Sequence, residues 1–257
     1  MSFQKRIPLE DLPRTFAEAV AVTRRLGAKY LWINCLCIIQ DSLEDWQKES
    51  IQMEEIYKGC SLNIAATASD SPEDGLFRER ELDPDWPWFT YACFGAGDNR
   101  FCLAYDTRFF AEQIELILLN TRACVLQERL LSPRKIHFGQ EQIFWECLER
   151  SACEMFLGQI PMRCFYRSPS FELSKVEEAT NIPTSQQPYH LWDILVQKCT
   201  SREITVPSDK LVALSGLANK FSGMIDEEYV AGSWRSTLPT SLLWMPSEVL
   251  NSGVYSY

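Results

Sequence analysis

The sequence predicts an α/β protein whose sheet is open, doubly wound and mainly parallel. Helix-like and strand-like segments alternate over residues 13–69, and the connections between them are very short. The first strand-like segment, "YLWINCLCII" at residues 30–39, is an apolar run without polar alternation. Such a run is typical of a strand that is covered on both faces, as in parallel sheets.

The first helix is predicted over "LPRTFAEAVAVTRRLG". Pro13 stands near its start and Gly27 ends it, in agreement with the usual preference for proline early in a helix and glycine after it. The strand over residues 30–39 follows directly.

A second helix and a second strand complete the alternating segment. Ser42 has the N-cap position and Asp45 the capping-box position of a helix that runs from about residue 43 to 58 and stops at Gly59. The second strand is "SLNIAATAS" at residues 61–69. We expect the two apolar runs to be adjacent parallel strands, joined by this helix.

Beyond residue 69 the pattern is less regular. Residues 70–88 form a long acidic, proline-rich connection. The later predicted elements are a β-hairpin over 89–106, a helix over 119–132, two short strands over 135–147, a mobile loop region over 149–188, and helical segments over 189–201, 207–224 and 228–244.

Composition excludes several classes of function. The chain has 257 residues, enough for one large domain or two small ones, and a formal net charge of −10. This charge argues against nucleic acid as a partner and against an anionic membrane surface. Because no spanning segment and no secretory signal are visible, we expect a cytoplasmic protein.

The ten cysteines do not indicate a metal site. No pair forms a C-x-x-C motif, and the chain has two histidines, His137 and His190. Most of the cysteines lie within apolar stretches, where a reduced thiol packs as a small hydrophobic group. We therefore expect buried reduced thiols, no metal and no cofactor.

The second helix carries the candidate chemical group. Trp46, Ser50, Met53 and Tyr57 fall on one face and form the predicted buried stripe, and Glu49 lies at the border of that stripe. A carboxylate beside a tryptophan at the edge of an apolar face can have a raised pKa or contact a substrate hydroxyl. The alternative is an ordinary surface glutamate near two lysines.

Asp41 is open to two interpretations. At the carboxyl end of a strand it faces a ligand crevice, or it forms an Asx turn that leads into the Ser42 cap.

At this stretch the sequence resembles the heterokaryon incompatibility (HET) domain of filamentous fungi. Residues 12–69 match the family's central block almost position by position. "SPEDGLF" and "TRACVLQERLLSPRKIHFGQEQIFWEC" are similar to its two later blocks. "SDKLVALSGLA" and "EYVAGSWRSTLPTSLLW" are similar to the stretch that commonly follows the domain.

The resemblance implies a division of the chain. Residues 1–150 are the HET domain, with a core over about 9–69 that resembles the flavodoxin-like fold of Toll/interleukin-1 receptor (TIR) domains. Residues 151–188 are then a loop-rich linker, and residues 189–257 a helical C-terminal extension.

The resemblance also implies function. HET domains are linked to non-self recognition after hyphal fusion and to the programmed cell death that follows, so the expected partners are other incompatibility proteins or further copies of the chain. Some TIR domains cleave NAD with a glutamate on a helix, and Glu49 looks like its match. Under that alternative Glu49 is catalytic, NAD is the substrate, and Asn34, Asp41 and Trp46 bind it.

Four departures from the family pattern favour a third alternative, a divergent or truncated inactive relic. The family's first strand, Leu-Ser-Tyr-x-Trp-Gly, has no counterpart before the first helix. Asn34 replaces an aspartate, Ala123-Cys124 replaces Gly-Trp, and no effector domain follows. A sheet without its central strand leaves unpaired backbone edges, so we expect a chain that is weakly stable or borrows a strand.

The later blocks carry further polar residues expected to wall the crevice. They are Gln127, Glu128, Arg129, Arg134 and Glu146. The alternative is that some of them pair only with each other.

Overall fold

The structure is a computed structural model in which residues 7–80, 88–93, 99–147, 149–165, 187–202 and 210–243 are described. Within these residues the helices are, in chain order, α1 (Arg14–Arg25), α2 (Asn34–Cys37), α3 (Leu43–Gly59), α4 (Leu118–Thr121), α5 (Ala123–Leu131), α6 (Gln187–Thr200), α7 (Lys210–Ser222) and α8 (Leu238–Ser241). Two 3-10 turns, Leu9–Asp11 and Met162–Phe165, and a π-helical turn, Ala111–Glu115, complete the helical elements.

The strands form one four-stranded sheet and two hairpins. They are β1 (Asn63–Ala65), β2 (Trp88–Cys93), β3 (Asn99–Ala104), β4 (Arg134–Phe138), β5 (Ile143–Cys147), β6 (Ser151–Cys153), β7 (Tyr229–Val230) and β8 (Ser233–Trp234). The sheet has the order β1-β4-β5-β6, while β2 pairs with β3 and β7 with β8.

The sheet is mixed, where the sequence predicts a mainly parallel one. β1 and β4 are parallel, with Ile64 opposite Ile136, but β4–β5 and β5–β6 are antiparallel. The reason is local: β4, β5 and β6 follow one another through short turns, which permit only antiparallel neighbours. The α/β class is confirmed, and the predicted two short strands over 135–147 are present.

The predicted strand over residues 30–39 is wrong. Residues 30–33 belong to no strand, and residues 34–37 form the single turn α2. The expected parallel pairing with residues 61–69 is therefore wrong as well, and β1 pairs with β4 instead. An apolar run forms a strand only where a neighbouring backbone edge is available for pairing, and within the described residues no strand pairs with this run.

The two long N-terminal helices agree with the sequence. α1 starts after Pro13, and Gly27 beyond its end has a φ of 74°. α3 starts after Ser42, whose side chain accepts a hydrogen bond from the backbone N–H of Asp45 at 3.2 Å. Capping residues act within one turn, which explains why sequence predicts these boundaries well.

One face of the sheet packs against α1. Ile64, Ile136, Phe138 and Ile143 project to this side and join Ala19 and Val22 of α1, with Leu31 and Leu76, in one apolar cluster. Residues opposite each other in adjacent strands share a face, so Lys135, His137, Phe144 and Glu146 project to the other side. The sheet therefore lies between two layers.

The other side holds the larger core. α3, α5, α6 and α7 meet around buried side chains that include Tyr57, Leu126, Trp192 and Leu217, and Trp234 of β8 closes the cluster. A smaller aromatic cluster packs on Phe144. It includes Phe109, Phe110, Ile160 and Phe165, so residues 151–165 pack on the sheet, although the sequence assigns them to a linker.

The prediction of a helical segment over 228–244 is wrong for its first part. β7 and β8 form a two-residue hairpin there, with Ala231 at φ 47° and Gly232 at φ 102° in the turn. Two successive residues at positive φ match the twist of a tight hairpin. The prediction of a helix is confirmed at the single turn α8. The predicted domain boundaries stay predictions, and residues 1–6 and 166–186 lie outside the described residues.

Candidate functional site

The predicted catalytic residue, Glu49, lies at the partly exposed border of α3. Its carboxylate is 3.7 Å from the ammonium group of Lys48, and its side chain is 19% exposed. Trp46, one turn earlier, is also half-buried. The predicted stripe is shifted by about one residue: Ser50 and Tyr57 are buried, but Glu54 is buried in place of Met53.

Of the predicted substrate-binding residues before α3, Asn34 is half-buried and Asp41 is exposed. Asn34 starts α2, and its backbone carbonyl accepts from the N–H of Ile38 at 3.1 Å. Asp41 is exposed in the turn after the run. The side chain that organises this turn is Asp45, which accepts from the N–H of Ile39 at 2.8 Å. Sequence reasoning missed this role, although the carboxylate occupies the capping-box position.

A buried charged network lies on the face of the sheet opposite α1. Its centre is Glu146 of β5, which is 3% exposed. Arg129 of α5 donates two hydrogen bonds to this carboxylate, from Nε at 3.0 Å and from Nη2 at 2.9 Å. His137 of β4 contacts it through Nε2 at 2.7 Å. Glu146 thus joins two strands to a helix.

The charges of this network stabilise one another. Burial by itself raises the pKa of Glu146, but Arg129 and the hydrogen bond to His137 outweigh it and hold the pKa well below its ordinary value. Burial lowers the pKa of His137, so the imidazole is neutral near pH 7. Its Nε2–H then donates to Glu146, and its Nδ1 accepts from the Thr67 hydroxyl, 3.3 Å away.

Arg129 connects the network to the preceding segment. Its guanidinium contacts Glu115 at 2.8 Å and lies 5.9 Å from the centre of the Phe110 ring. Burial lowers the pKa of Arg129, but the two carboxylates outweigh this effect and raise it overall. Lys135 donates from Nζ to the backbone carbonyl of Arg129 at 2.9 Å. The sequence indicates Arg129 and Glu146 of this network as polar residues that pair with each other under one of the two alternatives, and spacing alone does not reveal the other members.

Thr67, His137 and Glu146 place a hydroxyl, an imidazole and a carboxylate in hydrogen-bonded succession. The same succession is used in nucleophilic catalysis. Catalysis requires that a substrate reach the hydroxyl. Thr67 is 4% exposed and its oxygen faces the interior. The network therefore holds β4, β5, α5 and the segment that follows β1 together.

The other predicted residues of the later blocks have separate environments. Glu128 accepts from the hydroxyl of Tyr57, and burial raises its pKa to about 7 against the opposing effects of Tyr57 and Arg122. Tyr57 lies eight residues beyond Glu49, about 12 Å along the axis of α3. Gln127 is buried against Gly216 of α7.

Arg134 is exposed at the start of β4. The alternative that some of the polar residues in these blocks pair with each other is confirmed for Arg129 and Glu146.

A second buried carboxylate, which the sequence did not single out, links α3 to α7. Glu54 is 7% exposed and accepts from Asn219 at 2.6 Å and from Lys58 at 2.5 Å. The only sequence signal for it is its position one residue from the predicted stripe. The hydrogen bond to Asn219 shows that Glu54 stabilises the packing of α3 against α7.

The "SPEDGLF" block forms a loop that is hydrogen-bonded to α1. Glu18 accepts from the N–H groups of Leu76 at 2.5 Å and Phe77 at 2.9 Å. Gly75 has a φ of 80°, and a Cβ there would lie 2.7 Å from the Glu18 carboxylate, so this position requires glycine. Beside the loop is an open depression of about 780 Å³, lined by Arg14, Ala68, Glu73, Asp74, Phe77, Arg78, Glu79 and Gln140.

Two further features bear on function. Within the described ranges, no three or more side chains of histidine, cysteine, aspartate or glutamate are grouped to hold a metal ion. In the same residues, no helix has both the length and the apolar character needed to cross a membrane.

Comparison with known proteins gives one positive result. No curated protein and no solved structure matches the chain. Residues 1–128 match the model of the heterokaryon incompatibility protein (HET) family. These residues include α1, the 30–39 run, α3, β1 and most of α5, the segments that carry the resemblance in sequence. The chain therefore belongs to the heterokaryon incompatibility family.

Proposed function

We propose that the chain is a signalling protein of fungal non-self recognition that promotes programmed cell death through contacts with other proteins. The observation that carries this proposal is the family match over residues 1–128. The expected partners are other incompatibility proteins or further copies of the chain.

The buried charged residues pair with one another inside the protein, which supports a function through contacts with other proteins. Glu146 and Arg129 are engaged with each other, and Glu54 is engaged with α7. Glu49 lies at the border of α3 beside Lys48 and shares no hydrogen bond in the described contacts with the Glu146 network. A reaction that separates charge needs several preorganised groups around one point, and the buried groups here are organised around one another.

The TIR-like core belongs to the same proposal. Its support is the α/β arrangement with β1 and β4 parallel and helices on both faces of the sheet.

The proposal is tested by inducible expression of the chain in a filamentous fungus, with viable cells counted and total NAD measured. Expression of the wild-type chain should reduce viability while the NAD pool of the surviving cells is unchanged. Glu49→Ala should reduce viability as strongly as the wild type. Glu55→Ala, which changes an exposed carboxylate of the same helix, is the matched control.

The other outcomes separate the alternatives. If Glu49→Ala abolishes both killing and NAD loss while Glu55→Ala retains them, the chain is an NAD-cleaving enzyme and action by contact alone is wrong. If a folded wild-type chain does not affect viability, the inactive-relic alternative is correct.

A further inference from the structure

An apolar groove of about 170 Å³ lies between α1, with the turn before it, and the 30–39 run. Its lining is aliphatic apart from one thiol and consists of Ile7, Leu9, Leu12, Val20, Leu31, Ile33, Leu36 and Cys37. None of these eight side chains is buried, and Leu9 is 41% exposed.

The 30–39 run is unusually exposed for its composition. Nine of its ten residues are apolar, yet Ile38 is the one buried residue among them. Tyr30 is 91% exposed and Ile39 is 40% exposed. Contiguous apolar surface of this kind marks a site of interaction with another molecule.

The two ends of the groove carry opposite charge. Glu10 and Asp11, both exposed, lie in the turn between the lining residues Leu9 and Leu12. At the other end of α1, Arg24 follows Val20 by one helical turn on the same face. α1 spans about 18 Å, and exposed charges that far apart are screened from each other at physiological ionic strength.

We propose that this groove is the surface through which two copies of the chain associate, related by a twofold axis and aligned antiparallel. An apolar surface with one acidic and one basic end is complementary to itself when a second copy is rotated by half a turn, because each acidic end then faces a basic end. The association supplies a partner for the proposed signalling function, but its test reads association alone and does not depend on cell death.

The test is a charge exchange followed by sedimentation velocity over a concentration series, with reductant present so that Cys35 and Cys37 do not link copies covalently. The wild-type chain is expected to dimerise. Arg24→Glu and Asp11→Arg should each raise the dissociation constant about tenfold or more, since each places like charges against each other. An equimolar mixture of these two variants should associate with near wild-type affinity, because both charge pairs are restored.

Two controls separate loss of the surface from loss of the fold. Arg25→Glu changes a neighbouring exposed charge that lies about 100° away from Arg24 around the helix, and it should leave association unchanged. Leu9→Asp should abolish association while the thermal transition followed by circular dichroism stays within about 2 °C of the wild type. A wild-type chain that is monomeric at about 100 μM, or a variant mixture that fails to associate, would overturn the proposal.

Discussion

The 30–39 run and the β4–β5 hairpin show that apolar character and strand formation are separate properties. The 30–39 run is the more uniformly apolar of the two, but it forms no strand and keeps most of its side chains in contact with water. The hairpin contains Lys135, His137 and Glu146, yet it forms the centre of the sheet and buries all three.

The difference lies in the availability of pairing partners. β4 is followed after four residues by β5, so each strand has a local partner for its backbone hydrogen bonds. The 30–39 run lies between the helices α1 and α3, without an adjacent strand along the described chain, and forms the single helical turn α2. The polar side chains of the hairpin are tolerated in the interior because each has a hydrogen-bond partner. Glu146 meets Arg129 of α5 and His137, and Lys135 meets the backbone carbonyl of Arg129.

The largest expected effect comes from breaking the charged network of the hairpin. Glu146→Ala should lower the free energy of unfolding by about 3–5 kcal/mol, because Arg129 is left as a buried charge without one of its carboxylates. Urea unfolding followed by fluorescence measures this change. Glu55→Ala, the exposed control, should stay within about 0.5 kcal/mol, and equal effects of the two variants would contradict a stabilising network.

Truncating one aromatic side chain in each of the two regions should give a somewhat smaller loss in the free energy of unfolding. Phe138→Ala in β4 should cost about 3–4 kcal/mol, since Phe138 is 3% exposed and packs against α1 and the Phe77 ring. Tyr30→Ala in the run should change the free energy of unfolding by less than about 0.5 kcal/mol. The same urea titration, performed at low protein concentration, checks both values. A large loss for Tyr30→Ala would mean that the run is covered.

The pH dependence of stability should change with Glu128. Its folded pKa of about 7 lies above the ordinary value of 4.5, so the stability contributed by its protonation is present at low pH and is lost as the pH rises through 7. Glu128→Gln should therefore increase the free energy of unfolding at pH 8 by about 1–3 kcal/mol and leave it nearly unchanged at pH 4.5.

Glu146 gives the opposite dependence. Its folded pKa is lowered, so its contribution is present at neutral pH and is lost as the pH falls below the unfolded value. In the Glu128→Gln variant, unfolding measured between pH 4.5 and 8 should therefore show stability that rises or stays level with pH. A variant whose stability still falls from pH 4.5 to 8 would contradict the role assigned to Glu128.

The smallest expected effect distinguishes two carboxylates of α3. Glu54→Ala should lower the free energy of unfolding by about 1–2 kcal/mol, because Asn219 and Lys58 lose their acceptor. Glu49→Ala, one turn earlier and partly exposed, should cost at most about 0.5 kcal/mol. Thermal unfolding of the two variants side by side checks the difference, and a reversed order would place the structural carboxylate of α3 at Glu49.

The candidate site shows how far sequence reasoning reaches. The stripe of α3 is predictable from its spacing, but an error of one residue in the stripe hides Glu54. Arg129 and Glu146 are recognisable as polar residues within apolar elements, and their pairing was one of two open alternatives. His137 and Thr67 meet although they are 70 residues apart, and no local pattern carries such a contact.

The sequence by itself determined the long helices α1 and α3, the hairpins β2–β3 and β4–β5, and the family of this protein. α1, α3 and the Ser42 cap depend on interactions within a few residues, which a sequence pattern records directly. Tertiary structure alone decided which apolar run joins the sheet, which carboxylates are buried and which surface stays open. These three features depend on backbone partners and charges that are distant along the chain. Such groups stabilise one another only after the layers have packed together.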